Sequence, residues 1–165
     1  MLLYHGSTVI VGKPEIRYSG KPLDFGVGFY VTSSPEQAER WALTKAVREK
    51  TGFGYVSVYE FDAARALPAL RTVRFETANA DWLRFVAKNR KTVCADVEAD
   101  LHVGPVADDA VYETFRFYEA GILSFEETVI RLKTARLKDQ WAFHTEKALS
   151  FLRFVRSVEV RDQNV

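Results

Sequence analysis

Cysteine and long apolar runs are scarce in this chain, and its opening residues do not predict a signal peptide. Cys94 is the only cysteine in 165 residues, so no disulfide can form within the chain. A lone thiol without a partner motif is most often a small buried apolar residue in a reducing compartment. No apolar run approaches the roughly 18 residues that a membrane span needs, and no basic segment opens a signal peptide. We therefore expect a cytoplasmic protein with no membrane partner.

An excess of charge of one sign is also missing. Lys and Arg number 23 against 22 Asp and Glu, which leaves a formal charge of +1. No overall field therefore favours non-specific binding to nucleic acid or membranes. The three histidines, His5, His102 and His144, stand at no metal-ligand spacing, so we expect no metal. Gly26-Val27-Gly28 lacks the third glycine and the following helix of a dinucleotide-binding fingerprint, which excludes a Rossmann domain.

The organisation of the chain indicates one α+β domain over residues 1–165. No repeat, low-complexity tract or linker divides it, and its length is enough to bury a sizeable core. Apolar and turn patterns predict strands at 2–4, 25–32, 55–61, 70–75, 100–105, 139–143 and 158–160. They predict helices at 35–50, 78–88, 109–119 and 125–132, with a short one from Thr145. Strands and helices mixed without regular βαβ spacing favour α+β over a doubly wound sheet.

Helix capping signals support two of these helices. Ser34 precedes Pro35, and Gln37 stands three residues after Ser34, as in a capping box. Ser124 and Glu127 have the same spacing before the next apolar run. We expect both serines to be N-caps.

The first seven residues contain chemistry that packing does not explain. Leu2-Leu3-Tyr4 is typical of a short apolar strand, and His5-Gly6-Ser7 follows it abruptly. About twenty residues later a glycine-hinged strand carries Tyr30 in its middle. Glycine allows close backbone approach, imidazole gives a directional hydrogen bond and tyrosine gives a stacking face. Together they suit a flat heteroaromatic ring, so we expect a nucleotide ligand.

Several motifs in order resemble those of the ADP-ribosyltransferase superfamily. They are Leu-Tyr-His-Gly-Ser at 3–7, Gly-Phe-Tyr-Val-Thr at 28–32 and Glu-Gln-Ala-x-x-Trp-Ala at 36–42. The likeness is to the diphtheria-toxin/PARP-type branch, whose triad is histidine, tyrosine and a third polar residue, usually glutamate. Residues 103–109 and 140–149 look like DUF3990, a small bacterial family grouped with these transferases. The likeness covers most of the chain.

The resemblance implies a split, mostly antiparallel sheet with peripheral helices and NAD held in the cleft. It makes His5, Tyr30 and Gln140 the catalytic set. His5 would bond the adenosine-side ribose, the Gly6 backbone would pair with the nicotinamide carboxamide, and Tyr30 would stack on the nicotinamide ring. The same likeness adds Ser7, Gly28 and Thr32 to the NAD-binding residues.

Gln140 departs from the family pattern, because it stands where the glutamate is usual. Glutamine can bond a ribose hydroxyl but brings no negative charge and cannot act as a general base. If a carboxylate takes part, the candidates by motif are Asp139, Glu146 and the Asp108/Asp109 pair, although that pair is also suited to capping a helix.

The function implied is mono-ADP-ribosyl transfer from NAD to a macromolecule, either protein or nucleic acid. By analogy with the family, the protein is the toxin of a bacterial toxin–antitoxin pair, with a protein antitoxin as partner. The alternative is a catalytically degenerate module of the same fold that binds a nucleotide or a protein without turnover.

Overall fold

The computed structural model describes residues 1–16, 23–91, 98–106, 109–133 and 138–161. Its strands are β1 (Leu2–Ser7), β2 (Phe29–Val31), β3 (Gly54–Phe61), β4 (Thr72–Arg74), β5 (Leu101–Pro105), β6 (Asp139–Phe143) and β7 (Leu152–Val160). Its helices are α1 (Pro35–Glu49), α2 (Ala63–Ala69), α3 (Ala80–Lys91), α4 (Asp109–Glu119), α5 (Phe125–Lys133) and α6 (Glu146–Leu149). Among the described residues, no helix is both long and apolar enough to cross a membrane.

The strands form two sheets. One has the order β1-β3-β7 and is antiparallel throughout. The other has the order β2-β6-β5-β4, in which only the β4–β5 pair is parallel. Within the described ranges, one isolated bridge, from Tyr4 to Thr32, joins β1 to the residue that follows β2. The α+β class expected from the sequence is confirmed, and the strand pairing is mostly antiparallel.

Two apolar clusters hold the sheets in place. Alternation along β2 and β6 sends their side chains to opposite faces. Phe29, Val31, Trp141 and Phe143 enter one cluster with side chains from β1 and β3. The other face carries Ala142 and packs against α3, α4 and α5. The second sheet is therefore covered on both faces, and the residues of β2 divide between two environments.

Helix α1 lies against β1 at very short range. Ser34 caps it as expected, since its Oγ accepts from the backbone N–H of Gln37. The capping box is incomplete, because the Gln37 amide donates to the backbone of Asp139 instead. Ala38 and Ala42, both buried, face Gly6 of β1, and small residues on both sides allow the close approach.

Several sequence expectations need correction. The strand expected at 25–32 is only Phe29–Val31, because residues 24–28 form a turn around Gly26, whose φ is +80°. Helix α2 was not expected, and β7 begins at Leu152 rather than at 158. Of the capping signals, Ser124 and Glu127 form the full reciprocal box. Cys94 and Asp108 lie outside the described residues.

Candidate functional site

Strands β1 and β2 meet at one residue pair and then separate. Tyr4 and Thr32 exchange two backbone hydrogen bonds, of 2.9 and 3.0 Å. In an antiparallel ladder the next pair of this kind is two residues on, which would join Gly6 to Tyr30. That pair is not formed. The N–H and C=O of Gly6 therefore point into a gap between the two sheets.

His5 spans this gap. Its Nδ1 lies 2.7 Å from the carbonyl oxygen of Tyr30. Because a carbonyl only accepts, Nδ1 carries the proton and Nε2 keeps its lone pair. The ring stacks on Phe29 with centroids 4.6 Å apart and planes inclined by 28°. Burial lowers the pKa of His5 to about 4, the Tyr30 carbonyl opposes this, and the positive charge of Lys45 adds to it. The imidazole is therefore neutral at pH 7.

Gly6 is required by packing as well as by its backbone position. An added Cβ would overlap the carbonyl oxygen of Ala38 and lie 2.9 Å from the backbone nitrogen of Ala42. Gly28 is similarly confined, since a Cβ there would lie 2.7 Å from the carbonyl oxygen of Phe143. Packing thus accounts for the choice of glycine at both positions.

Tyr30 projects from the opposite face of β2 to Phe29, on the side of α3 and α5, and is half-buried. Its hydroxyl donates to the carbonyl of Gly26 at 2.6 Å and accepts from the N–H of Phe25 at 3.1 Å. Burial raises the pKa of Tyr30, the Phe25 N–H opposes this, and the charge of Asp24 adds to it. The phenol is therefore neutral and its hydroxyl holds the 24–26 turn. A ligand could contact the ring of Tyr30 but not compete easily for its hydroxyl.

Gln140 occupies the same face of the second sheet as Tyr30. Its Nε2 donates to Oδ2 of Asp24 at 3.3 Å and to the carbonyl oxygen of Pro105 at 3.1 Å. Both partners only accept, so their chemistry fixes which way round the amide lies. Gln140 is 7% exposed, and its Oε1 is not among the described buried atoms that lack a partner. The described hydrogen bonds of the Gln140 side chain are both donated by Nε2.

Asp24 is the residue that sequence reasoning missed. Its carboxylate pairs with Arg90 at 2.8 Å and also faces the amide of Gln140. Nothing local marks it, because Gln140 lies 116 positions away in the chain. The only available signal was its place at the head of the Asp24-Phe25-Gly26 segment.

Of the carboxylates suggested by motif, Asp139 is engaged in holding two strands together. Oδ1 of Asp139 accepts from the Thr32 hydroxyl and from both the N–H and the hydroxyl of Ser33, while Oδ2 accepts from the Trp141 indole. Asp139 thus ties β2 to β6, and the side chain of Thr32 is committed to that tie. Glu146 lies exposed in the first turn of α6.

The other two histidines form a buried pair. His144 Nδ1 lies 2.6 Å from the carbonyl oxygen of Val27, and its Nε2 lies 2.9 Å from Nδ1 of His102. Since the carbonyl must accept, His144 donates through Nδ1 and accepts at Nε2 from His102. Burial and the neighbouring His144 lower the pKa of His102 to about 4. The pair holds the 24–28 turn on β6, and within the described residues no three metal-ligating side chains converge.

The expected residues are thus connected, though not as one ring of side chains. Tyr30 and Gln140 share a face and both bond the 24–26 turn. His5 belongs to the opposite face and reaches Tyr30 through its backbone carbonyl. Ser7 is buried at the end of β1, on the His5 side. The gap at Gly6 lies between these two groups.

Comparison with known proteins gives one family assignment. The family model of DUF3990, described as a protein of unknown function, matches residues 1–154. Neither the curated proteins nor the solved structures contain a match. Because the matched region covers nearly the whole sequence, the chain belongs to the DUF3990 family.

Proposed function

We propose that this protein is an NAD-dependent mono-ADP-ribosyltransferase. The observation that carries the proposal is the gap where Gly6 and Tyr30 fail to pair. A backbone N–H and C=O left side by side suit a planar carboxamide, which offers one acceptor and one donor. Nicotinamide carries that group on a flat ring, and the half-buried ring of Tyr30 lies on β2, across the gap from Gly6.

The remaining polar atoms suit the sugar next to that ring. Nε2 of His5, which makes no hydrogen bond to a described residue, can accept from a ribose hydroxyl, because Nδ1 is held by the Tyr30 carbonyl. Oε1 of Gln140 can accept from another hydroxyl, since Nε2 is held by Asp24 and Pro105. Both groups are neutral acceptors with fixed orientation, which lowers the cost of ordering them on binding.

The reaction is a substitution at C1′ of the nicotinamide ribose. The C1′–N bond breaks and its electron pair leaves with neutral nicotinamide, so positive charge develops on the sugar. A nucleophile of the acceptor forms the new bond at C1′ and releases its proton to solvent. The products are nicotinamide, the ADP-ribosylated macromolecule and a proton; with water as nucleophile the second product is ADP-ribose. By analogy with the resembling family, the acceptor is a protein or nucleic acid of a bacterial host, and a protein antitoxin restrains the enzyme.

The test is nicotinamide release from NAD by purified protein, with and without a cell lysate as source of acceptors. We expect release by the wild type and a loss of at least about 100-fold in His5→Ala and Tyr30→Ala. Asp81→Ala, which removes a carboxylate that is 78% exposed on α3, is the control and should leave release unchanged.

One observation favours the alternative of a binding module without turnover. The residue in the glutamate position is a neutral amide, and Arg90 offsets the charge of the nearby Asp24. NAD binding without nicotinamide release, and without modified protein or nucleic acid by mass spectrometry, would establish that alternative.

A further inference from the structure

A carboxylate lies directly behind the amide of Gln140. Oδ2 of Asp24 accepts from the Gln140 amide at 3.3 Å, while Oδ1 accepts from two nitrogens of Arg90, each at 2.8 Å. The side chains of Asp24 and Arg90 are 14% and 15% exposed. The carboxylate thus divides its oxygens between a cation and an amide, in a place where water screens it little.

Asp24 does not depend on Gln140 for its position. Its backbone carbonyl accepts from Nδ2 of Asn89 at 3.1 Å. The guanidinium of Arg90 lies 4.3 Å from the ring centre of Phe115, which ties α3 to α4 around the ion pair. The turn that carries Asp24 is therefore anchored on the helices, and Oδ2 of Asp24 is directed at Gln140 of the sheet.

We propose that Asp24 is the positioning residue for Gln140, and that it supplies through the amide the negative charge that a glutamine lacks. The inference rests on the proposed function, since it assigns Oε1 of Gln140 to a ribose hydroxyl. A charge-assisted bond at Nε2 polarises the amide and increases the electron density on Oε1. The oxygen that meets the ribose thereby carries part of the charge of Asp24 while the sugar becomes positive.

The pair offers a reciprocal test. Asp24→Asn removes the charge behind Gln140. Gln140→Glu places two carboxylates face to face. The double variant moves the carboxylate to position 140 and places an amide behind it. The Pro105 carbonyl meets the same Glu side chain in the second and third variants, so its effect cancels between them. Arg84→Gln is the control, because it removes an exposed ion pair of the same helix and leaves the contacts of Asp24 with Arg90 and Gln140 in place.

We expect Asp24→Asn to lower kcat for nicotinamide release at least about tenfold with KM for NAD within about threefold, the signature of a group that acts in the transition state. Gln140→Glu should lose activity and also thermal stability, since like charges are brought together. The double variant should recover at least about tenfold in kcat over Gln140→Glu. Arg84→Gln should leave kcat within about threefold.

Two results would overturn the inference while the proposed function stands: an active wild type matched by Asp24→Asn, or a double variant no better than Gln140→Glu. A wild type that releases no nicotinamide would refute the proposed function instead. In that case the side-chain amide resonances of Gln140, followed by NMR in wild type and Asp24→Asn, still report whether the carboxylate holds the amide. Unchanged resonances would overturn the positioning role by themselves.

Discussion

Single residues in this fold serve packing and the candidate site at once. Gly6 lets α1 approach the backbone of β1, and the same residue directs its N–H and C=O into the gap. His5 stacks on Phe29 and also engages the Tyr30 carbonyl. The His5-Gly6 motif therefore reflects packing and the polar contacts of the candidate site together. A substitution at either residue would affect both.

Gly6→Ala is expected to destabilise the protein by about 1–3 kcal/mol, the usual cost of forcing extra volume into a packed site. The new methyl group would meet the backbone of Ala38 and Ala42, which cannot move aside as a flexible side chain can. Urea unfolding measures the change in the free energy of unfolding. Gly12→Ala is the matched control, because nothing lies within 4 Å of a Cβ there. Equal effects of the two substitutions would contradict the packing account.

At the scale of elements, Asp139 organises the meeting of β2, β6 and the start of α1. Four hydrogen bonds reach its carboxylate, from Thr32, Ser33 and Trp141, and its backbone carbonyl accepts from Gln37. These partners lie more than one hundred positions away, except for Trp141. Asp139 therefore sets the register in which Gln140, the next residue, faces Asp24.

Asp139→Ala should lower the free energy of unfolding by about 2–3 kcal/mol, because the buried side chains of Thr32 and Trp141 lose a charged acceptor. Asp81→Ala removes a carboxylate that is 78% exposed and paired only with Arg84 among the described contacts. Its cost should stay below about 0.5 kcal/mol. Chemical unfolding of both variants checks the difference, and a cost for Asp139→Ala as small as that for Asp81→Ala would show that the junction is held by other contacts.

The elements that the sequence predicts well are those whose determining contacts lie close together in the chain. The reciprocal box of Ser124 and Glu127 is written within four residues and was predicted correctly. The strand expected at 25–32 is present only at Phe29–Val31, because the Tyr30 hydroxyl bonds the backbone of Phe25 and Gly26 and that segment forms a turn. The partnership of Asp24 with Gln140 depends on the whole sheet being assembled, so no local pattern announces it.

At the scale of the molecule, Tyr4 and Thr32 form the one backbone bridge between the two sheets in the part of the chain that the structure describes. The apolar cluster between them and the contact of α1 with β1 hold the sheets together, which leaves the gap beyond Thr32 open. A ligand that bonds both edges of the gap would connect the sheets further. Ligand binding should therefore raise the free energy of unfolding of the whole domain.

NAD at about 100 times its Kd should add about 2.7 kcal/mol to the free energy of unfolding, which for a chain of this size raises Tm by about 5–10 °C. ADP-ribose lacks the carboxamide and is the matched ligand. Both should stabilise the protein, but only NAD should protect the Gly6 amide from hydrogen exchange. Protection of Gly6 by ADP-ribose to the same extent would place the nicotinamide elsewhere.

The imidazole of His5 also competes with the backbone for a hydrogen-bond acceptor. It occupies the carbonyl of Tyr30 that Gly6 would otherwise reach, so the ladder begun at Tyr4 and Thr32 stops after one rung. With a short side chain at position 5, the carbonyl of Tyr30 would be available to Gly6. Continued pairing of β1 with β2 would then join the two sheets into one seven-stranded sheet. At this point of the opening, a side chain thus takes the hydrogen-bonding place that a strand backbone would have in a continuous sheet.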